Sequence, residues 1–237
     1  MVKNDTETIL KKHLHYRVEN GRIKHFKPWL GDSVSFLYDF IMEHSIFPKK
    51  RGADIYQHNQ FLSQTLKNMH GKRVLELASG SGSAVNFLPN DNLYTGTDIS
   101  PGLLSKAVKG FKTAGFQGTE FYVTPADELP FDDNRFDVCL CMLSLNFFDN
   151  VAIVFQEVNR VLIPGGVFIC SVPVPERSAC QSTIRGTLRS EAELVRICQA
   201  HGFGYESIPF ENGSLIYFKA VSVISWKKHC GEGFKSE

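Results

Sequence analysis

A chain of 237 residues suits one large domain or a domain with an appended cap, and it needs no metal or disulfide staple to fold. Apolar residues at 43% and charged residues at 22% are ordinary for a globular protein; no apolar run reaches the ~20 residues that span a bilayer, and Met1 to Thr6 is too polar for a signal peptide, so a cytoplasmic protein with no membrane span is expected. The formal net charge of +1 hides a basic start, seven Lys/Arg against three acids over 1–30, but these are scattered and lack the dense Arg/Lys-aromatic clustering of nucleic-acid binders.

The first 70 residues have no strand–helix rhythm. His13 to Glu19 and Arg22 to Lys27 flank Asn20-Gly21, the pair that best tolerates the positive φ of a type I′ turn, so a hairpin is predicted. Asp32 can cap a helix running to about His44 that is apolar on several sides, which calls for burial on more than one side. Ile46 to Arg51 reads as a Pro-containing link, and a second helix follows to His70, with Gly71 placed to end it.

From Lys72 onward short β-rich runs alternate with helical patterns, the signature of a parallel sheet with crossover helices. A strand is predicted over Arg73 to Ala78, a helix from about Ser83, and a strand over Leu93 to Asp98. Ser100-Pro101 is a strong helix start, with the helix reaching about Thr113. Strands at Glu120 to Thr124 and Phe136 to Met142, a helix over Val151 to Leu162, a turn at Gly165-Gly166 and a strand over Val167 to Val172 follow. Glu191 to His201 is helical, and Gly204 to Pro209 with Leu215 to Val223 forms a closing strand pair. The six cysteines show neither a CxxC pair nor zinc spacing, so they read as reduced thiols and no metal is expected.

The chemistry concentrates in Val74-Leu75-Glu76-Leu77-Ala78-Ser79-Gly80-Ser81-Gly82, an apolar strand running into a small-residue turn before a helical pattern. Small residues let a ligand approach the backbone, and a following helix offers free N–H groups. A nucleotide-like ligand is therefore expected at this loop. Gly-Lys-Ser/Thr is absent, and counting from Gly80 the dinucleotide fingerprint fails at Val85. Asp98, ending the second strand of this part, can accept from two ribose hydroxyls, as NAD or S-adenosylmethionine would require, or it can simply flank the next helix.

VLELASGSG resembles the first motif of class I methyltransferases, V-L-D-L-G-x-G-x-G, and TGTDIS resembles their second, acidic motif. ADELPFDDNRFDVCLCM and FQEVNRVLIPGGVFICSVP resemble the A-E-x-L-P-F…F-D-x-V and E-x-x-R-V-L-K-P-G-G stretches of the ubiquinone/menaquinone-biosynthesis group (type 11). The four stretches stand in order over about 72–173. The resemblance implies an α/β fold with a doubly wound, mostly parallel seven-stranded sheet, a hairpin and helical cap over 1–50, and an S-adenosylmethionine-binding domain over 51–237. It implies S-adenosylmethionine as cofactor and S-adenosylhomocysteine as product. Glu76 would anchor the methionine end through the loop, with Ala78, Ser79, Gly80 and Gly82 lining the amino-acid portion. Asp98 would hold the ribose and Ile99 pack on the adenine, whose edge would meet Ala126, with Asp127 beside it. Met142 and Leu143 would face the sulfonium.

Two departures matter. Ala78 replaces the usual first glycine, and Pro125 stands where many relatives place an Asp against the adenine amino group. Methyl transfer from a sulfonium is a direct displacement whose acceleration can come largely from alignment and dryness, so no triad is required. The sequence identifies no catalytic base; His58 and Tyr56 are the titratable side chains to test. Asn146 and Phe147 lie where an acceptor would be met, although capping or bracing the loop is the more ordinary role for Asn146. About eighteen residues separate the fifth strand of this part from Glu191, too few for a large inserted domain, so the first segment is the expected cover, with Trp29, Phe36, Tyr38, Phe40, Phe47, Tyr56 and His58 available. The expected partner is a small-molecule acceptor, aromatic or partly apolar. The alternatives are a module that binds the cofactor without transfer, and an RNA methyltransferase.

Overall fold

The structure, a computed structural model, describes residues 7–26, 42–177 and 184–223. A hairpin opens it: β1 (Thr8–Lys11), β2 (Leu14–Glu19) and β3 (Arg22–Ile23). Asn20 and Gly21 turn between β2 and β3 with φ of 52° and 72°, as the Asn-Gly pair predicts. Lys12 and His13, at 52° and 65°, make a second such turn between β1 and β2 that the sequence does not announce. The helix expected over 32–44 lies outside the described residues as far as 41, with Trp29, Phe36, Tyr38 and Phe40 of the expected cover; so does the Phe47 side chain. The expected link at Ile46 to Arg51 is instead part of a π-helical segment, Met42–Arg51, with Pro48 inside it.

Helix α1 (Ile55–Leu66) starts on Asp54, whose carboxylate accepts from the Tyr56 and Gln57 amides. It stops short of His70, and Gly71 takes φ of 61° beyond it. Then come β4 (Arg73–Glu76), β5 (Leu93–Asp98), α2 (Pro101–Thr113), β6 (Glu120–Val123), β7 (Phe136–Met142), α3 (Val151–Val161), β8 (Leu162–Pro173), α4 (Glu191–Ala200), β9 (Phe203–Asn212) and β10 (Leu215–Ser222). The helix predicted from Ser83 is a single 3-10 turn, Ser83–Asn86, because Pro89 follows too soon for it to continue. Gly165-Gly166 is not a turn before a strand but a bulge inside β8, where the pairing with β7 shifts register. Ser100 caps α2 with Pro101 at its first position, and Ser190 and Glu193 form a capping box on α4.

The strand order is β1-β2-β6-β5-β4-β7-β8-β10-β9. From β6 to β8 the pairing is parallel; β10 and β9 close the sheet antiparallel. This is the expected doubly wound class, but the sheet has ten strands rather than seven. The difference is the hairpin, which joins the sheet instead of capping it: β2 runs parallel to β6 with His15 opposite Tyr122 and Tyr16 opposite Val123. Alternate side chains of the strands feed two cores. Leu62 and Leu66 of α1 with Leu104, Ala107 and Phe111 of α2 cover one face. Val154, Phe155 and Val158 of α3 with Leu194 and Cys198 of α4 cover the other. Cys139, Cys141, Cys170 and Cys198 are free thiols buried there, while Cys180 and Cys230 lie outside the described residues. Among the described residues no helix is long and apolar enough to cross a membrane.

Candidate active site

The chain leaves β4 toward β5 on one side and returns to β7 on the other, so the sheet's switch point lies at the carboxyl ends of β4 and β7. Leu77 extends the pairing, its amide donating to the Leu140 carbonyl at 2.9 Å. The backbone then reverses: Ala78, Gly80 and Gly82 all take positive φ (48°, 56° and 86°). Ala78 thus adopts at its own steric cost the conformation that the usual glycine would reach freely. The Ser79 amide donates to the Thr97 carbonyl at 2.8 Å, and the Gly82 amide closes the turn on the Ser79 carbonyl at 3.0 Å.

Asp98 organises the rim next to this turn. Its carboxylate accepts from the Gly80 amide at 3.0 Å through one oxygen and from the Ser100 amide at 2.8 Å through the other. It is therefore both the helix-flanking residue and the loop's anchor. A carboxylate oxygen carries two lone pairs and can accept more than one hydrogen bond. Ile99 beside it is half-buried. The Thr124 amide, just past β6, donates to the Asp98 carbonyl at 3.1 Å, bringing the 124–128 loop to the same rim. There Ala126 is buried and Asp127 exposed.

Glu76 lies beneath, 2% exposed, and accepts the Tyr94 hydroxyl of β5. Burial pushes its carboxyl up to about 8; the Tyr94 hydrogen bond opposes this and the Asp98 charge adds to it. A folded-state value above the unfolded one means the folded chain holds the proton more tightly. Stability from this group is then complete below the unfolded value of about 4.5 and is lost as pH rises toward 8. Glu76→Gln keeps the acceptor for Tyr94 and removes the titration. The ligand-free variant is expected to melt roughly 5 °C above the parent at pH 8, the gap closing toward pH 5 in thermal melts. Parallel melting profiles would contradict this account of Glu76. Sequence reasoning missed Tyr94, although an acid inside an apolar strand signals that a neighbouring strand must supply a donor.

At the end of β7, Met142 is buried and Leu143 takes φ of 63°. The Leu143 amide donates to the Ser171 carbonyl at 2.8 Å, and its own carbonyl accepts from Arg51 Nη2 at 3.2 Å. Arg51 is buried, and no motif or spacing marks it as a residue of the rim. The next turn, Leu145–Phe147, carries both expected acceptor contacts. Asn146 Nδ2 donates to the Arg185 carbonyl at 2.7 Å, and the Asn146 carbonyl accepts from the Thr187 amide at 2.7 Å. The residue thus braces the 184–187 stretch, while its buried Oδ1 has no hydrogen-bond partner. Phe147 is 42% exposed.

The two base candidates separate. Tyr56 is 70% exposed on α1. His58 is 3% exposed, and its Nδ1 meets the Tyr217 hydroxyl at 2.8 Å. Burial, and after it the Arg51 charge, lower its pKa to about 3, so the imidazole is neutral and a poor proton acceptor. Asn212 Nδ2 donates to the same hydroxyl at 3.3 Å and to the Asp54 carbonyl at 3.0 Å, so His58 belongs to a network joining α1 to the β9–β10 hairpin. The E-x-x-R stretch is structural too. Arg160 donates to Glu157, to the Phe131 carbonyl at 2.6 Å and to the Leu129 carbonyl at 3.0 Å, holding the L-P-F segment in place.

A family model described as a methyltransferase domain matches residues 75–170. The chain is 30% identical over 128 residues to a phthiotriol/phenolphthiotriol dimycocerosates methyltransferase of Mycobacterium leprae, a match covering 53% of this chain and 45% of that protein. It is 37% identical over 106 residues to a ubiquinone/menaquinone biosynthesis C-methyltransferase of Desulfotalea psychrophila, covering 44% and 42%. The chain spans less than half the length of these relatives. Its fold matches the crystal structure of an S-adenosylmethionine-dependent methyltransferase from Thermotoga maritima with a TM-score of 0.60 at 16% identity, over 81% of this chain and 98% of that one. The ordered motifs thus map onto β4 to β8, and over this part the chain is similar to methyltransferases, a ubiquinone/menaquinone biosynthesis C-methyltransferase among them, on the fold that S-adenosylmethionine-dependent methyltransferases share.

Proposed function

We propose that this protein transfers a methyl group from S-adenosylmethionine to a small, partly apolar acceptor by direct displacement. The observation that carries the reading is the Asp98 carboxylate, bridging the Gly80 and Ser100 amides beside a backbone turn lined by small residues. Bound there, S-adenosylmethionine supplies an electrophilic methyl on sulfur. The chain's part is to bind and align: Asp98 takes the ribose, the Ala78–Gly82 turn and Glu76 take the amino-acid end, and Ile99, Ala126 and Asp127 take the adenine. Met142 and Leu143 wall the sulfonium, with the acceptor beyond them at Asn146 and Phe147. Holding both reactants in line and away from water can account for most of the acceleration. An apolar acceptor of the lipid or quinone kind is supported by the names of the two relatives and by the exposed Phe147 ring at this end of the sheet.

Incubating the full chain with S-adenosylmethionine and, separately, quinone, fatty-acid and amine acceptors tests this. S-Adenosylhomocysteine is expected to accumulate with an apolar acceptor and not without one. Binding with no turnover for any acceptor class would favour a non-catalytic module, the reading that Pro125 at the adenine contact motivates. Absence of binding would remove both.

A further inference from the structure

The N-terminal hairpin touches the expected adenine loop directly. Because β2 pairs with β6 in parallel, with Tyr16 opposite Val123, Arg17 comes level with Thr124, the first residue past β6. His15 stacks on Tyr122, with ring centroids 4.4 Å apart and planes 15° apart, which fixes the strand beside the loop. Arg17 is 8% exposed. Its guanidinium donates to the Glu128 carboxylate and, through Nη1 at 3.3 Å, to the Glu128 carbonyl. Lys24, beyond β3, adds its ammonium 3.5 Å from the other carboxylate oxygen. The same Glu128 carbonyl accepts the Thr124 hydroxyl at 2.9 Å, closing the base of the loop. Pro125, Ala126 and Asp127 are thereby held between two anchored ends.

We infer that Arg17 is a positioning residue for the adenine end of the cofactor, acting through Glu128 on the 124–128 loop; this rests on the methyltransferase reading above. In this chain the loop has no carboxylate at position 125, so recognition of the adenine edge falls on the backbone around Ala126 and on Asp127 beside it, both carried by this loop. Backbone recognition depends on loop shape. Pro125 stiffens that shape from within and restricts Thr124 to extended conformations. Arg17 sets it from outside. Its Nε–H is buried without a partner, so the side chain's pose follows Glu128 rather than its own full complement of hydrogen bonds. The guanidinium also holds the Glu128 carboxylate below the usual range, keeping it charged and clamped.

The test uses the full chain and two probes, S-adenosylhomocysteine and 5′-methylthioadenosine, which has the adenine but no amino acid. Isothermal titration of Arg17→Ala is expected to show both dissociation constants raised by the same factor, about ten-fold, the scale of one charge-assisted hydrogen bond. Glu128→Gln keeps the carbonyl contact and should weaken both by about three-fold, which guards against misfolding of the Arg17 variant. Unchanged affinities, even with a lowered melting temperature, would leave Arg17 a purely structural tie and overturn the inference. Weakening confined to S-adenosylhomocysteine would overturn the adenine assignment. A parent protein that binds neither probe would overturn the cofactor reading and this inference with it.

Discussion

Asp98→Ala is expected to weaken S-adenosylhomocysteine binding by about 100-fold or more while leaving the far-UV spectrum unchanged. Two losses combine. Hydrogen bonds from ribose hydroxyls to a carboxylate contribute about 1.5–3 kcal/mol each, and both disappear. The Gly80 and Ser100 amides lose their acceptor as well, so the turn proposed to take the amino-acid end is released. Asp98→Asn separates these contributions: it keeps one acceptor oxygen and roughly the same shape, and should fall between the alanine variant and the parent, at about ten-fold. Titration of the three proteins with one ligand preparation decides the matter. Equal affinities would place the ribose elsewhere.

The second large effect is on the loop's packing. Gly82→Ala is expected to destabilise the fold by about 3 kcal/mol, lowering the melting temperature by roughly 10 °C. Gly82 has φ of +86°, where an L side chain is strained, and a Cβ there would stand 2.8 Å from Ala107 Cβ and 3.0 Å from its Cα. Those atoms belong to α2, which is fixed against the sheet by Leu104 and Phe111, so the neighbour cannot retreat cheaply. Gly110 on the same helix is the control. A Cβ there meets nothing within 4 Å, and Gly110→Ala should be neutral or stabilise by up to about 1 kcal/mol through helix propensity. Thermal melts that rank the two variants equally would refute the close approach of the turn to α2.

These features differ in how readable they were from the chain. The parallel strands announce themselves because each is a short apolar run bounded by turn chemistry, and Ser100-Pro101 marks a helix start in two residues. The Asn20-Gly21 turn is equally local. The Lys12-His13 turn is not, since this pair is no usual hairpin-turn signal and its conformation follows from the strands it joins. Long-range partners were invisible for a related reason. Nothing around Arg17 names Glu128, 111 positions away, and the Leu143 carbonyl finds Arg51 across 92. The motif loops and their place at the strand ends were thus legible from spacing, whereas the side chains that hold those loops in place are assembled only by the sheet order.

That sheet order also bears on how the chain is made. β2 is synthesised roughly a hundred residues before β6, the strand it lies along, and closing so long a loop is slow relative to local pairing. While β4 and β5 emerge from the ribosome, so short a hairpin has little stability of its own and its edge is still without β6. Its docking onto β6 covers that edge of the parallel sheet, so the 124–128 loop takes its final shape only when β2 meets a strand made roughly a hundred residues later.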